Sequence, residues 1–379
     1  MSRPSIIIAV TVSQTLSILG NFPQHLRSLG WDVTLLSSPG VELEMLAQEG
    51  FNTVPIQMRR DPSPIADIKS LCLIFFSMWK NRGAVVLVGT PKASLLILLA
   101  STALRFRTRV YDVKGLRYEG ETGTKRSILM GIERLCMKLA THVLAISPSI
   151  ESKIVEDKLV PKRKVSLAGR GADHGVDLEY FHPNYTRDPS GPSRNSLGIS
   201  PDSFIVGFIG RINKDKGVSE LAEVARRYQR KNLPVTFLIV GPQESDSYRP
   251  FSGDERNVIR VGWVDDPRPY FAVCDVFCLP TYREGLPNVN LQASAMALPL
   301  ITTGATGAVD TVVNDVTGVV IRLRSSNDIE DAIERLRADP QLRRRMGQAG
   351  RELIADNYQS QDVWQSRAEW LRLAYSQNR

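Results

Sequence analysis

Short apolar runs punctuate the chain at nearly even intervals. They fall at residues 5–12, 32–38, 53–58, 84–89, 109–113, 142–146 and 164–168, and again at 204–210, 235–241, 258–264, 276–280, 299–303 and 318–321. Such near-continuous runs mark strands covered on both faces. Segments with helical spacing fill most of the gaps, so the alternation predicts an α/β protein with parallel sheets and right-handed crossovers. Ligands of such sheets bind beyond the carboxyl ends of the strands. The rhythm breaks at residues 182–201, where HPNYTRDPSGPSRNSLGISP is rich in Pro, Ser, Gly and Asn and has little to bury. A linker at 183–201 would separate a domain at 1–182 from another at 202–360; 379 residues exceed what one core usually fills. The tail is helical, and Arg343, Arg344 and Arg345 read as a solvated helix face. A last helix at 361–379 carries Trp364 and Trp370 and needs a surface to cover them.

The composition is that of a globular protein, but its charge is uneven. Residues 1–185 hold 23 of the 48 Lys and Arg and 16 of the 40 Asp and Glu, so this half carries +7 of the net +8. A basic half suits nucleic acid, anionic lipid or a phosphorylated substrate. No zinc-finger spacing and no RNA-binding aromatic signature occurs, which argues against nucleic acid and leaves lipid or a diphosphate. Cys72, Cys136, Cys274 and Cys278 form no Cys-x-x-Cys pair and lie in apolar surroundings, as in a reduced, cytoplasmic chain without zinc. The apolar stretch 6–12 is too short for a signal peptide and reads as a first strand, and the longest apolar run, 93–104, is too short to span a bilayer.

Two segments carry the candidate chemistry. The run 277–289, FCLPTYREGLPNV, leads a buried strand through Glu284-Gly285-Leu286-Pro287-Asn288 into a helix, a turn that presents free N–H groups and the positive end of a helix dipole. About seventy residues earlier Gly210-Arg211-Ile212-Asn213-Lys214-Asp215-Lys216-Gly217 follows another buried strand, and offers an Arg fork and a Lys point charge from one turn. Together these motifs resemble the donor site of retaining, nucleotide-sugar glycosyltransferases of family 4, and the resemblance extends over nearly the whole chain. It implies a GT-B fold of two doubly wound Rossmann-like domains facing a cleft, with the terminal helix crossing back onto the first domain. It also implies that Arg211 and Lys216 bind the donor diphosphate, that Glu284 holds sugar hydroxyls, and that the turn Gly285, Leu286, Pro287 and Asn288 completes the donor site. Arg211, Lys216 and Glu284 are then the catalytic candidates.

The resemblance departs at two positions. Relatives commonly carry a second Glu eight residues after the first, accepting from both ribose hydroxyls; here Gln292 stands there, with one acceptor oxygen and an amide that only donates. Relatives commonly have a histidine before the glycine of the acceptor-side loop, where this chain has Lys114. The loop holding Lys114, Arg117 and Glu119 follows a strand and is the acceptor-side candidate, Lys114 suiting a diphosphate better than proton transfer. At Gly262-Trp263-Val264 the main chain of Val264 is a candidate reader of a uracil ring, as in the family, while the side chain of Trp263 suits core packing. No Asp-x-Asp follows a strand; Asp265-Asp266 is adjacent and reads as a helix cap, so neither a metal nor a cofactor is expected.

Residues 71–82 and 95–109 set aromatic and aliphatic side chains beside Lys80, Arg82, Arg105, Arg107 and Arg109. Such fringes suit an anionic membrane surface, and also ordinary core helices. The expectation is a glycosyltransferase that moves a hexose or N-acetylhexosamine from a UDP-sugar to a lipid-linked, polyprenyl-diphosphate saccharide, peripheral on the inner face of the cytoplasmic membrane. A UDP-sugar epimerase of the same fold, or a non-catalytic nucleotide-sugar-binding partner of a glycan assembly complex, are the competing readings.

Overall fold

The computed structural model describes residues 3–59, 63–185 and 191–377. These form two compact units, residues 1–174 with 360–379 and residues 175–359. In the first unit β1 (Ser5–Ala9), β2 (Asp32–Ser37), β3 (Asn52–Pro55), β4 (Val85–Val88), β5 (Arg109–Val113), β6 (His142–Ala145) and β7 (Val165–Ser166) build one sheet in the order β3-β2-β1-β4-β5-β6-β7. Every pairing is parallel. In the second unit β8 (Phe204–Ile209), β9 (Val235–Val240), β10 (Val258–Val261), β11 (Val276–Leu279), β12 (Leu300–Thr303) and β13 (Gly318–Ile321) take the order β10-β9-β8-β11-β12-β13, again parallel throughout. Each of the thirteen expected strands is present. The apolar runs predict them because β4, β11 and β12 are buried along their whole length, as strands covered on both faces must be.

Both sheets reverse direction of growth between their first and fourth strands, β1 beside β4 and β8 beside β11. At such a switch point the two loops leaving the carboxyl ends diverge and open a crevice for ligand. In the second unit those two loops are the segments 210–217 and 280–288. The topology therefore brings together the two motifs that the chain separates.

Helices α1 (Phe22–Ser28), α2 (Val41–Gln48), α3 (Pro64–Met78), α4 (Pro91–Ala103), α5 (Gly123–Leu139) and α6 (Pro148–Glu156) belong to the first unit. Several begin by simple local rules: Pro148 sits at the first position of α6, and Ser147 Oγ accepts from Ile150 N at 3.4 Å. The second unit holds α7 (Val218–Arg230), α8 (Arg268–Phe271), α9 (Asn288–Ala295), α10 (Ser326–Ala338) and α11 (Pro340–Asn357). The last helix, α12 (Ser360–Ser376), packs in the first unit. Its Ala368 and Leu371 are buried in one core with Ile6, Phe22, Leu26 and Trp31, and Trp364, Trp370 and Tyr375 pack against that core.

Residues 191–201 of the expected linker belong to the second unit. Ile199 is buried with Ile205, Leu238 and Val240, and Leu197 packs beside them, so the polar composition hides two anchoring apolar residues. Residues 186–190 of that stretch, and 378–379 of the last helix, lie outside the described residues.

Candidate active site

In the second unit the loop after β8 is locked to the loop after β11. Gly217 has φ +67°, and a Cβ there would lie 1.9 Å from Pro280 O, so no side chain fits between the loops. Tyr282 N donates to Asp215 O at 2.7 Å, the buried Thr281 Oγ1 donates to the same oxygen at 2.9 Å, and Arg283 Nη2 pairs with Asp215 Oδ2 at 2.6 Å. The result is a rigid seat for two charged side chains. Lys216 Nζ donates to Glu284 Oε1, both side chains being mostly buried, with 18% and 14% exposure. Arg211, which is 60% exposed, pairs through Nη1 with Glu244 Oε1 at 2.5 Å, and Asn213 Nδ2 donates to the other oxygen of Glu244.

Each expected donor cation is thus held by a carboxylate. Glu284 is placed where sequence reasoning puts it, but Glu244, Asp215, Arg283 and Thr281 are missed by it. The signal for Glu244 is its place in the loop after β9, the neighbour of β8. Gly285, Leu286 and Pro287 are buried ahead of α9, whose first residue is Asn288. With the Leu286 side chain packed inward, what this turn offers a ligand is main chain. Gln292 lies one turn further along α9 and is half-buried.

Val264 sits beyond the end of β10, half-buried against the cluster around Leu238 and Val240. The indole of Trp263 is not core: it is 74% exposed, with Nε1 3.3 Å from Asp265 Oδ1. The strand ends at Val261, three residues earlier than its apolar run suggests, and alternation no longer points Trp263 inward. Asp266 does cap, its Oδ1 accepting from Arg268 N at 2.9 Å. Along the sheet edge the loops after β10, β9, β8 and β11 follow one another, so Val264, Glu244, Arg211 with Lys216, and Glu284 come in that spatial order. Among the described residues no group of three or more His, Cys, Asp or Glu is disposed to hold a metal ion.

The first unit carries a second charged cluster at the carboxyl end of β5. Lys114 Nζ lies 2.6 Å from Asp112 Oδ2 and also donates to Asp173 Oδ1. Arg367 of α12, fully enclosed, pairs with the same Asp112 Oδ2 at 2.5 Å, lies 3.8 Å from Asp173 Oδ1, and donates to Ala172 O at 3.1 Å. Gly171 lets the loop carrying Ala172 and Asp173 close against the end of β6: its φ is +95°, and a Cβ there would meet Ile146 O at 2.2 Å. Burial alone would raise the Asp173 carboxyl, but Lys114 and Arg367 outweigh it and hold it below the usual range. Burial depresses the neighbouring His174 and keeps it neutral, against the pull of Asp173. Sequence reasoning names none of Asp173, His174, Asp112 and Arg367 as site residues; nothing local marks a contact between residues 255 positions apart.

Of the other acceptor-side candidates, Arg117 is exposed and Glu119 half-buried in a short turn anchored by Tyr118, whose Oη donates to Asp157 Oδ2 at 2.7 Å. Behind them Tyr111 Oη donates to the buried Glu133 at 2.7 Å, and burial raises Glu133 to about 7 although that hydrogen bond opposes it.

The apolar surface also differs from expectation. Helix α4 is a core helix with Ala93, Leu96, Ile97, Leu98 and Ala100 buried, and Arg109 donates through Nε to Leu139 O at 2.8 Å, so residues 95–109 are not an apolar face with free cations. Eight exposed apolar side chains lie on the helices packed beside α4: Ile65, Ile68, Leu73, Phe76 and then Trp79 at α3, and Ile128, Ile132 and Leu135 on α5. Exposed Lys69, Lys80, Arg82, Lys125, Arg134 and Lys138 accompany them.

Two doubly wound units of parallel sheet, one with a cation seat at its switch point, define a GT-B glycosyltransferase. Profiles described as "Glycosyl transferases group 1" and "Glycosyl transferase 4-like domain" match residues 203–339 and 20–171. The chain is 33% identical over 370 residues to the capsular polysaccharide biosynthesis glycosyltransferase CapM of Staphylococcus aureus, covering 96% of each chain. It is 26% identical over 294 residues to the Escherichia coli UDP-Gal:alpha-D-GlcNAc-diphosphoundecaprenol alpha-1,3-galactosyltransferase, covering 75% and 74%. A solved glycosyltransferase of Rickettsia africae superposes with a TM-score of 0.78 over 99% of both chains at 16% identity, which speaks to the fold. The chain belongs to the group 1 glycosyltransferases with family 4-like domains, and it is a sugar-transferring enzyme.

Proposed function

We propose that this glycosyltransferase moves a hexose or N-acetylhexosamine from a UDP-sugar, with retention and without a metal ion, to a polyprenyl-diphosphate-linked saccharide in surface polysaccharide assembly. The observation that carries this reading is the pairing of Lys216 with Glu284 on a seat that also presents Arg211. When a donor binds, its diphosphate takes Lys216 and Arg211 from their carboxylates and Glu284 turns to the sugar hydroxyls. The two cations then meet the charge that develops on the departing UDP, the task a divalent ion performs elsewhere. Val264 at the far end of the same sheet edge suits the base, and Gln292 a ribose hydroxyl. Front-face attack, with the leaving phosphate taking the acceptor proton, is the route that fits retention at a seat whose chemistry is electrostatic.

The acceptor side rests on Lys114, whose ammonium has a third N–H beyond the two that Asp112 and Asp173 engage. The Escherichia coli relative, whose name gives UDP-Gal as donor and a diphosphoundecaprenol-linked sugar as acceptor, supports the same pairing of substrates here. No helix among the described residues is long and apolar enough to cross a membrane. The exposed apolar residues of α3 and α5 with their cations suit peripheral attachment to the anionic cytoplasmic face. Incubating the protein with individual UDP-sugars in EDTA, with and without N-acetylglucosaminyl polyprenyl diphosphate, tests the reading. Acceptor-dependent release of UDP supports it; interconversion of UDP-sugars without release indicates an epimerase, and binding without turnover a non-catalytic partner.

A further inference from the structure

The cluster at the end of β5 holds two cations and two carboxylates, and its most enclosed member comes from the last helix. Arg367 and Lys114 share Asp112 Oδ2, and both lie against Asp173 Oδ1. Counted together the four charges cancel. Lys114 alone among them is appreciably exposed, at 27%, against 2–5% for the others. Its stem is guided from behind, because a Cβ on Gly89, at the end of β4, would lie 3.0 Å from Lys114 Cε.

We propose that Arg367 is a positioning residue for the acceptor: by neutralising the two carboxylates that flank Lys114, it keeps that ammonium available to a diphosphate-bearing lipid. This deepens the acceptor reading above and rests on it. Without Arg367 the enclosed cluster would hold two carboxylates against one ammonium, a net negative charge at the place where an anionic group must arrive. In a partly enclosed site such a charge is poorly screened and acts at several ångströms. The same loss would draw Lys114 inward between Asp112 and Asp173, away from the ligand. The last helix is thereby tied to substrate binding as well as to the core, since Ala368 and Leu371, the neighbours of Arg367 in α12, are core residues.

The test uses the full chain and farnesyl diphosphate as a short diphosphate lipid, with UDP affinity measured on each variant as the check on folding. The account predicts an order set by charge. Asp112→Asn, which leaves the cluster at +1, binds farnesyl diphosphate about three- to tenfold more tightly than wild type; Arg367→Met, at −1, binds at least about tenfold more weakly; and the double variant, neutral again, returns to within about threefold of wild type. A merely structural role moves all three variants the same way or none of them, and that result overturns the proposal. If Arg367→Met cannot be purified, the step up for Asp112→Asn and the return for the double variant still decide it. Lys114→Met separates this proposal from the reading beneath it. Loss of binding there with no charge order among the other variants leaves the acceptor site standing and removes Arg367 from it. Unchanged binding in Lys114→Met removes both.

Discussion

Replacing Lys216 by Met removes the cation at the centre of the proposed donor seat and can be followed in two independent quantities. The first is stability. Lys216 and Glu284 are neither surface ions nor fully enclosed, with 18% and 14% of their side chains exposed. Exposed pairs contribute up to about 1 kcal/mol, and orphaning one partner of a buried pair costs about 3–5 kcal/mol. Glu284 keeps Thr281 Oγ1 at 3.2 Å. A loss of about 1–2 kcal/mol is therefore expected. The second quantity is UDP affinity, where a lost charge-assisted hydrogen bond costs about 1.5–3 kcal/mol, or about ten- to a hundredfold in Kd. Glu284→Gln is the natural contrast, because it frees Lys216 from its carboxylate: UDP binding should hold or tighten by up to about tenfold, while sugar transfer falls by at least that factor. Lys231, paired with Glu330 and 56% exposed, supplies the control, with both quantities nearly unchanged in Lys231→Met. Calorimetry with UDP in EDTA and thermal unfolding measure the set. If Lys216→Met folds and binds UDP within about twofold of wild type, Lys216 does not contact the diphosphate and the donor seat is wrongly built.

Three further outcomes follow from other parts of the structure. Glu133 is raised from 4.5 to about 7 by burial, so its contribution to stability is fully present below about 4.5 and is lost as pH rises through about 7. Glu133→Gln, which can still accept from Tyr111, should raise stability at pH 8 by on the order of 1–3 kcal/mol and flatten the decline between pH 5 and 8; a parallel, unshifted stability curve contradicts this. Gln292→Glu restores a charged acceptor and should tighten UDP binding by up to about tenfold in calorimetry, whereas weaker binding means that Gln292 serves the pocket as an amide donor. Changing Ile65, Ile68, Phe76 and Trp79 together to Ser should abolish cosedimentation with anionic liposomes at low salt, while Arg105→Ser with Arg107→Ser should reduce it only modestly, and the reverse order would place the lipid surface elsewhere.

Much of the fold was legible because strands buried on both faces leave unbroken apolar runs, and all thirteen appear at or within a few residues of their runs. Strand ends were less legible: β10 stops at Val261, since hydropathy cannot tell an apolar strand from the apolar loop that continues it, and Trp263 is exposed as a result. The linker was misplaced for a related reason. Its Pro, Ser and Gly content conceals Ile199 and Leu197, which pack 191–201 onto the second unit, where Arg194 also pairs with Asp275. That the loops carrying Arg211, Lys216 and Glu284, the proposed donor residues, meet at one sheet edge was legible because each lies in a motif at the end of a strand. The carboxylates that hold the cations were legible only in part, because Glu244 reaches Arg211 through the adjacency of β8 and β9. Arg367 was not legible at all: on α12 it is one of many arginines, and only the packing of that helix in the first unit gives it Asp112 for a partner.

The central claim is that sugar passes from a UDP-sugar to a diphosphate-linked lipid saccharide at a seat whose positive charge comes from the protein itself. The most direct measurement is transfer of labelled sugar from UDP-galactose, UDP-glucose and their N-acetyl counterparts into the lipid fraction, in EDTA, with wild type and Lys216→Met side by side. The account predicts sustained transfer of one of these sugars by wild type, dependent on the diphosphate-linked acceptor, and a fall of at least about a hundredfold in the variant. Transfer that requires an added divalent cation, or that survives loss of Lys216, contradicts it.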